Sequence, residues 1–266
     1  MKKYGHVFTV GIQNTLVYRV NFLFKSTLGL IPLFATISLW RAIYQGKEGD
    51  ISGYSLTQMV SYYLVITFVD ALTAVAEDDW QVAGEIKDGN ISQFLLKPID
   101  YLMYRLTLYA AGRVVFTACA LVPAGLFIFF QRANLVLPAD LGTWAAFLFS
   151  LTLSALLQFF ISFTMALLAF WVLEVSTFIF ILYAFETLAN GHFFPIDILP
   201  APVLKLLYLT PFPYQLFFPV NICLGRIQGS EVYHGLAIQL CWVVALYGLA
   251  RFVWSRGIRK YSAVGG

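Results

Sequence analysis

The chain has 266 residues, of which 60% are hydrophobic, 17% aromatic and only 12% charged, with a formal net charge of +3. A water-soluble domain carries about a quarter charged residues, so this composition excludes a soluble globule and implies an integral membrane protein built from spans of about 20 residues. Cys119, Cys223 and Cys241 have neither the spacing of a disulfide framework nor a matching histidine cluster for zinc.

Residues 1–20 open the chain. Tyr4, Val7, Phe8, Gly11 and Ile12 share one face of a helix at 100° per residue, and Lys3, His6, Thr9 and Gln13 share the other. That pattern predicts an amphipathic helix in the headgroup plane, with a plain helical lead-in to the first span as the alternative. No short apolar core with a small-residue cleavage site follows the basic start, so a retained first span is expected.

Residues 21–254 then read as an all-α polytopic membrane domain of six transmembrane helices. The predicted spans are 22–43, 57–76, 108–130, 144–169, 174–189 and 232–254, followed by a tail at 255–266. The fourth and fifth come from one apolar tract of 46 residues, Trp144 to Ala189. As a single helix it would be about 69 Å long against a hydrocarbon core of roughly 30 Å, so it must fold back, most simply near Phe170–Ser176. With both termini on one side, twelve of the 17 Lys and Arg fall on that side, including Lys2, Lys3, Lys87, Lys97 and Arg105. Arg41, Lys47, Arg132, Lys205 and Arg226 fall on the other. The positive-inside rule then puts both termini in the cytoplasm.

Two segments are not plain spans. Residues 77–107 contain "GEIKDGNISQFLLKPID", in which Gly84 and Gly89 loosen the chain, Asn90 is a helix N-cap and Pro98 is a stop. Ile91, Phe94 and Leu95 share one face of the short helix between them. On a cytoplasmic loop such an apolar knob needs cover, from this chain's own helices or from a partner. Residues 190–227 hold six of the ten prolines in an apolar setting. Prolines forbid an ordinary span, so short broken helices re-entering the outer leaflet are expected, with a loop lying flat on the membrane as the alternative.

No enzyme constellation is present. His6, His192 and His234 are far apart, and no HExxH, GxSxG or GxxxxGK[ST] string occurs. No cofactor, catalytic residue, metal site or nucleic-acid surface is expected of this chain. Acids at membrane depth are the usual pointers to function. Asp70 falls in the second span, where a functional role and a pairing with Arg113 or a backbone donor are both open. Glu186, near His192 and Asn190, either lines a polar exit or meets headgroups.

In their order and spacing, "YGHVFTVGIQNTLVYRVNF", "LWRAIY", "GEIKDGNISQFLLKPIDYLMYRL", "NGHFFPIDILP" and "LTPFPYQLFFPVNICLG" resemble the permease subunits of type-two ABC exporters, the drug, polysaccharide and lipid class. The resemblance implies a multi-pass protein of the bacterial inner membrane. It implies two separate ABC ATPase subunits that bind ATP and Mg, and a second permease, identical or related. It makes the N-terminal helix a connecting helix and the loop after the second span a coupling helix. Gly84, Glu85, Ile86, Gly89, Ile91, Phe94, Leu95, Leu96 and Pro98 would then meet the ATPase. It makes the proline-rich segment an external re-entrant closure with Phe193, Phe194 and Pro195 as its gate. An ion- or proton-coupled secondary transporter using Asp70 and Glu186 is the alternative, and a membrane-embedded enzyme lacks a catalytic cluster.

Overall fold

The computed structural model describes residues 2–45, 49–75, 78–131, 138 and 140–261. The described residues form α1 (Lys2–Leu16), α2 (Arg19–Leu28), α3 (Leu30–Gln45), α4 (Leu56–Thr73), α5 (Asp78–Lys87), α6 (Ser92–Leu95) and α7 (Tyr101–Gln131). There follow α8 (Leu141–Ala166), α9 (Ser176–Ala189), α10 (Ala201–Leu207), α11 (Phe217–Cys223) and α12 (Ser230–Lys260).

Among the described residues, five helical stretches are long and apolar enough to cross a membrane: Arg19–Gln45, Leu56–Thr73, Tyr101–Phe127, Leu141–Phe170 and Ser230–Lys260. The predicted fifth span, 174–189, is the exception. It is α9, a helix of 14 residues, about 21 Å long and short of the hydrocarbon thickness on its own. It cannot start earlier because the chain is still turning at residues 171–175, where the Glu174 carboxylate accepts the Ser176 amide. It stops at Asn190, before Gly191 takes φ +89°. The turn predicted near Phe170 is present, entered through a 3-10 turn at Leu167–Phe170.

Local chemistry sets the other ends. A capping box starts α4, with the Ser55 hydroxyl accepting the Gln58 amide (3.3 Å) and the Gln58 side chain accepting the Ser55 amide (3.0 Å). The Asp140 carboxylate starts α8 by accepting the amides of Gly142 and Thr143. Asp100 does the same for Met103, so the third span begins at Tyr101, seven residues before its predicted start at 108. Residues 101–107, placed by the sequence in the loop, are the foot of α7.

The core lies between α4, α8, α11 and α12. Every residue of α11 is buried, Pro219 and Asn221 included. Asn221 tolerates this by donating to the Phe217 carbonyl (2.8 Å). The stretch Asn190–Ile227 is a series of short helices and 3-10 turns, as its prolines require, with Pro200 and Pro202 at the start of α10, where a missing amide costs nothing. The apolar face of α1 is the predicted one, but it packs along α7, where Gly11 sits against Ala111 and Leu108. The N-terminal and C-terminal ends both converge on the segment between α4 and α7: Lys3 donates to the Pro98 carbonyl (2.7 Å), and the Tyr261 hydroxyl donates to the Gly89 carbonyl (2.9 Å).

Candidate functional site

Three groups of residues singled out by the sequence lie at three levels of the molecule. The first is the segment joining α4 to α7. Gly84 lies inside α5 and bends nothing, whereas Gly89 carries φ +78° and makes the turn after it. Asn90 is not the helix cap: α6 begins at Ser92 after Ile91, with no side-chain cap, and the Asn90 carbonyl merely accepts the Gln93 amide. The local reason is that the Ser92 hydroxyl and Tyr261 both take the Gly89 carbonyl, which fixes the turn one residue earlier.

The apolar knob divides into two parts. Ile91 is 0% exposed and belongs to the core with Val82 and Ile86. Phe94 is half-buried against the rings of Tyr101 (5.3 Å) and Tyr104 (5.1 Å), with the Lys97 ammonium 4.8 Å from its ring centroid. Leu95 and Leu96 remain free of cover at 47% and 89% exposure. The exposed tip is therefore Leu95–Leu96, one helical position later than the face the sequence suggests. Pro98 is exposed and sits beyond α6, which already ends at Leu95.

This segment is fastened by polar side chains that no linear motif announces. Arg105, only 2% exposed, faces Glu85 at 3.3 Å, donates from Nε to the Tyr101 hydroxyl (3.2 Å) and from a terminal nitrogen to Gln81 (3.3 Å). The Tyr101 hydroxyl in turn donates to Glu85 (2.6 Å). An uncompensated arginine at this depth would be costly, so Glu85 is a structural counter-ion here. Arg251 of α12 pairs with Asp100 at the foot of α7. Burial raises the Asp100 carboxyl, but the Arg251 hydrogen bond and the Met103 amide outweigh it, and the net effect holds Asp100 below its usual range.

The second group lies at the opposite end. The Tyr62 hydroxyl donates to the Gly191 carbonyl (2.7 Å) and the Tyr63 hydroxyl to the Phe193 carbonyl (2.6 Å). This seats the 191–193 turn about two helical turns into α4, roughly 10 Å beyond its first residue. Phe193 is 58% exposed, Phe194 half-buried and Pro195 buried, so the three do not present one common face. Beyond them, Tyr54 donates to Asp197 (2.9 and 3.1 Å), while Arg226 lies 3.7 Å from the Tyr54 ring centroid, 3.5 Å from Asp197, and donates to the Gly53 carbonyl. This clasp joins both ends of the proline-rich segment to the loop between the first two spans. Burial raises the Asp197 carboxyl above its ordinary value, only partly countered by Tyr54 and Arg226.

The third group is the set of acids at membrane depth. Asp70, Glu186 and His192 line one cavity of about 450 Å³, together with Asp79, Gln158 and Asn190. Asp70 and His192 also border a second, more apolar cavity of about 510 Å³ between α2, α3, α4 and α7, which Arg113 lines too. Arg113 donates to the Ala71 carbonyl (3.4 Å) and stacks over Phe116. Glu186 accepts from the Gln215 amide, and the His192 amide donates to Asn190 (2.9 Å). Among the described residues, no three His, Cys, Asp or Glu side chains are grouped as a metal site.

A family model described as ABC-2 family transporter protein matches residues 30–265. The chain belongs to the ABC-2 transporter family. Comparison with curated proteins and with solved structures gave no match. The matched stretch begins at the first residue of α3 and takes in the inter-span segment, the proline-rich segment and the cavity lined by Asp70, Glu186 and His192. The five apolar helices and the family together make this a multi-pass membrane protein of the ABC-2 permease type. The permease residues that sequence reasoning missed are Tyr101, Arg105, Asp100, Arg251 and Tyr261 at one end and Tyr54, Asp197 and Arg226 at the other. Each is an ordinary aromatic or charged residue with a partner on another element, so charge in an apolar chain could have drawn attention to Asp100, Arg105, Arg251, Asp197 and Arg226, and nothing local marked the three tyrosines.

Proposed function

We propose that this ABC-2 permease is the membrane subunit of an ATP-driven exporter, acting with a second permease and two separate ATPase subunits. In this reading both termini face the bacterial cytoplasm, the segment between α4 and α7 is the coupling element, and the proline-rich segment with Phe193, Phe194 and Pro195 closes the exit. One observation carries it. Leu95 and Leu96 form an exposed apolar tip on a segment otherwise locked to α7, α12 and α1, as expected of a surface covered by a partner. The chain has no phosphate loop of its own. Nucleotide-driven closure of two ATPases would push on that tip, and the spans would follow as a two-state unit.

The test is purification of the chain in mild detergent, with and without Leu95→Asp and Leu96→Asp. The parent should bring an ATPase with it, and the double variant should lose that ATPase while keeping its thermal midpoint. An ATPase retained at full stoichiometry by the double variant would sink the assignment. Phe94 is not a clean probe, because its ring also packs this chain's own Tyr101 and Tyr104.

A second reading draws on the convergence of Asp70, Glu186 and His192 around one cavity. It makes the chain a proton- or ion-coupled carrier. Transport by the purified chain alone, driven by a pH gradient and abolished by Asp70→Asn, would establish that reading in place of the first.

A further inference from the structure

Gln239 sits in the third turn of the apolar helix α12 with 0% exposure and uses both ends of its amide. Its oxygen accepts the Ser150 hydroxyl (2.9 Å). Its nitrogen shares two N–H bonds among three acceptors, the Ser150 carbonyl (3.0 Å), the Ser154 hydroxyl (3.1 Å) and the Tyr214 carbonyl (2.8 Å). The first two partners are on α8, whereas Tyr214 is in the proline-rich segment. The Ser154 hydroxyl reinforces the junction by donating to the same Tyr214 carbonyl (3.2 Å). One turn away, Gly235 lets α12 close on Phe218 of α11. A side-chain amide in an apolar interior persists only where its hydrogen bonds are met, and here they join α8, α12 and the proline-rich segment.

The other end of α12 is bonded to the inter-span segment, through Tyr261 to Gly89 and through Arg251 to Asp100. From Gln239 the helix runs unbroken to Lys260, so the bonds at Arg251 and Tyr261 lie about 18 and 33 Å away along one rod. Besides the Tyr54–Asp197–Arg226 clasp, the proline-rich segment is bonded to two different spans. Its first turn hangs from α4 by Tyr62 and Tyr63, and its middle hangs from α12 by Gln239. We infer that Gln239 is a positioning residue that makes the proline-rich segment follow α12, and through it the inter-span segment, when the permease changes state. This rests on the exporter reading for the source of the movement, but names a residue that touches neither the tip nor the gate. Without the Gln239 bond the segment would keep its bonds to α4, to the Tyr54 loop and to Ser154 of α8, and lose its direct bond to α12.

Nitroxide labels in the co-purified complex test it, with Cys119, Cys223 and Cys241 replaced by Ala. An inner pair at Leu28→Cys and Asp88→Cys and an outer pair at Leu39→Cys and Leu209→Cys use exposed positions outside the apolar tip and share the α2–α3 reference. Distances are measured without nucleotide and with ATP plus orthovanadate. The parent should shift in both pairs. Gln239→Met fills the same space without the amide, and it should keep the inner shift and ATP hydrolysis but lose the outer shift. A purely structural role would instead lower assembly and both shifts together, and that result overturns the inference, as does an outer shift equal to the parent's. Should the Met variant not assemble, Gln239→Glu keeps the acceptor for Ser150 and gives up amide donors, and a reduced outer shift is expected there. Absence of any co-purifying ATPase sinks the exporter reading itself; an ATPase that turns over while the outer shift survives sinks only the role of Gln239.

Discussion

Arg105 in the first turns of α7 meets Glu85 of α5 at 3.3 Å, and the Tyr101 hydroxyl bonds to both. The arginine is almost wholly buried while the glutamate is partly open to water. That asymmetry predicts unequal losses. Glu85→Ala strands a buried guanidinium and should lower stability by about 2–3 kcal/mol, under the range for fully enclosed pairs because Glu85 is not fully enclosed. Arg105→Met combined with Glu85→Gln removes both charges at similar volume and should lie close to the parent. Thermal midpoints in detergent check this, and equal losses in the single and double variants would refute it.

The short helix α6 offers a second contrast. Ile91 and Leu96 look equivalent in sequence, two aliphatic residues flanking the same turn. Ile91→Ala removes a side chain with no exposure and should cost about 2–5 kcal/mol, as buried aliphatic truncations do. Leu96→Ala touches a side chain in the open and should stay within about 0.5 kcal/mol. A Leu96→Ala variant as unstable as Ile91→Ala would mean that the tip is covered within the chain, and the partner surface would then lie elsewhere.

How far this was legible in the sequence depends on the kind of signal. Apolar run length placed α4 and α8 within three residues at each end, because membrane thickness imposes it, whereas α12 runs six residues past its expected end at 254. Proline density gave the broken character of 190–227, because a missing amide acts locally. Glu85 was read as part of a partner surface, yet its role is set by Arg105, and no local pattern encodes a pair formed between two helices. The convergence of Asp70 with Glu186 and His192 was invisible for the same reason: it depends on how deeply the 191–193 turn is drawn down α4 by Tyr62 and Tyr63. The face of α6 was misjudged because Gly89 turns the chain, and a helix of four residues has too few positions for periodicity to fix its orientation.

Three glycines of α12 share a helix but differ in surroundings. A methyl group on Gly257 would lie 2.2 Å from the Phe170 ring, and one on Gly235 would lie 2.2 Å from Phe218, which is buried and has nowhere to swing. Gly257→Ala and Gly235→Ala should each cost about 1–3 kcal/mol through overpacking. Gly248 has nothing within 4 Å of its added methyl. Gly248→Ala should be neutral or stabilising by up to about 1 kcal/mol, the gain in helix preference. Thermal midpoints ranked in any other order would show that α12 does not pack against Phe170 and Phe218 as closely as described.

The clasp of Tyr54, Asp197 and Arg226 predicts a pH dependence of definite sign. The Asp197 carboxyl is raised above its ordinary 3.8, mainly because burial disfavours its charged form, with Tyr54 and Arg226 countering in part. An acid with a raised folded value binds protons more readily when folded. Its stabilising contribution is therefore complete below 3.8 and is lost as pH rises through the raised value. Asp197→Asn removes that titration. The midpoint of the parent minus that of the variant should accordingly increase as pH falls from neutral toward 4. Taking the difference cancels groups such as Asp100, whose carboxyl is shifted in the opposite direction. A difference that stays flat, or that shrinks on acidification, would mean that Arg226 and Tyr54 hold the carboxylate more strongly than burial opposes it, and the clasp would then be fastened by charge.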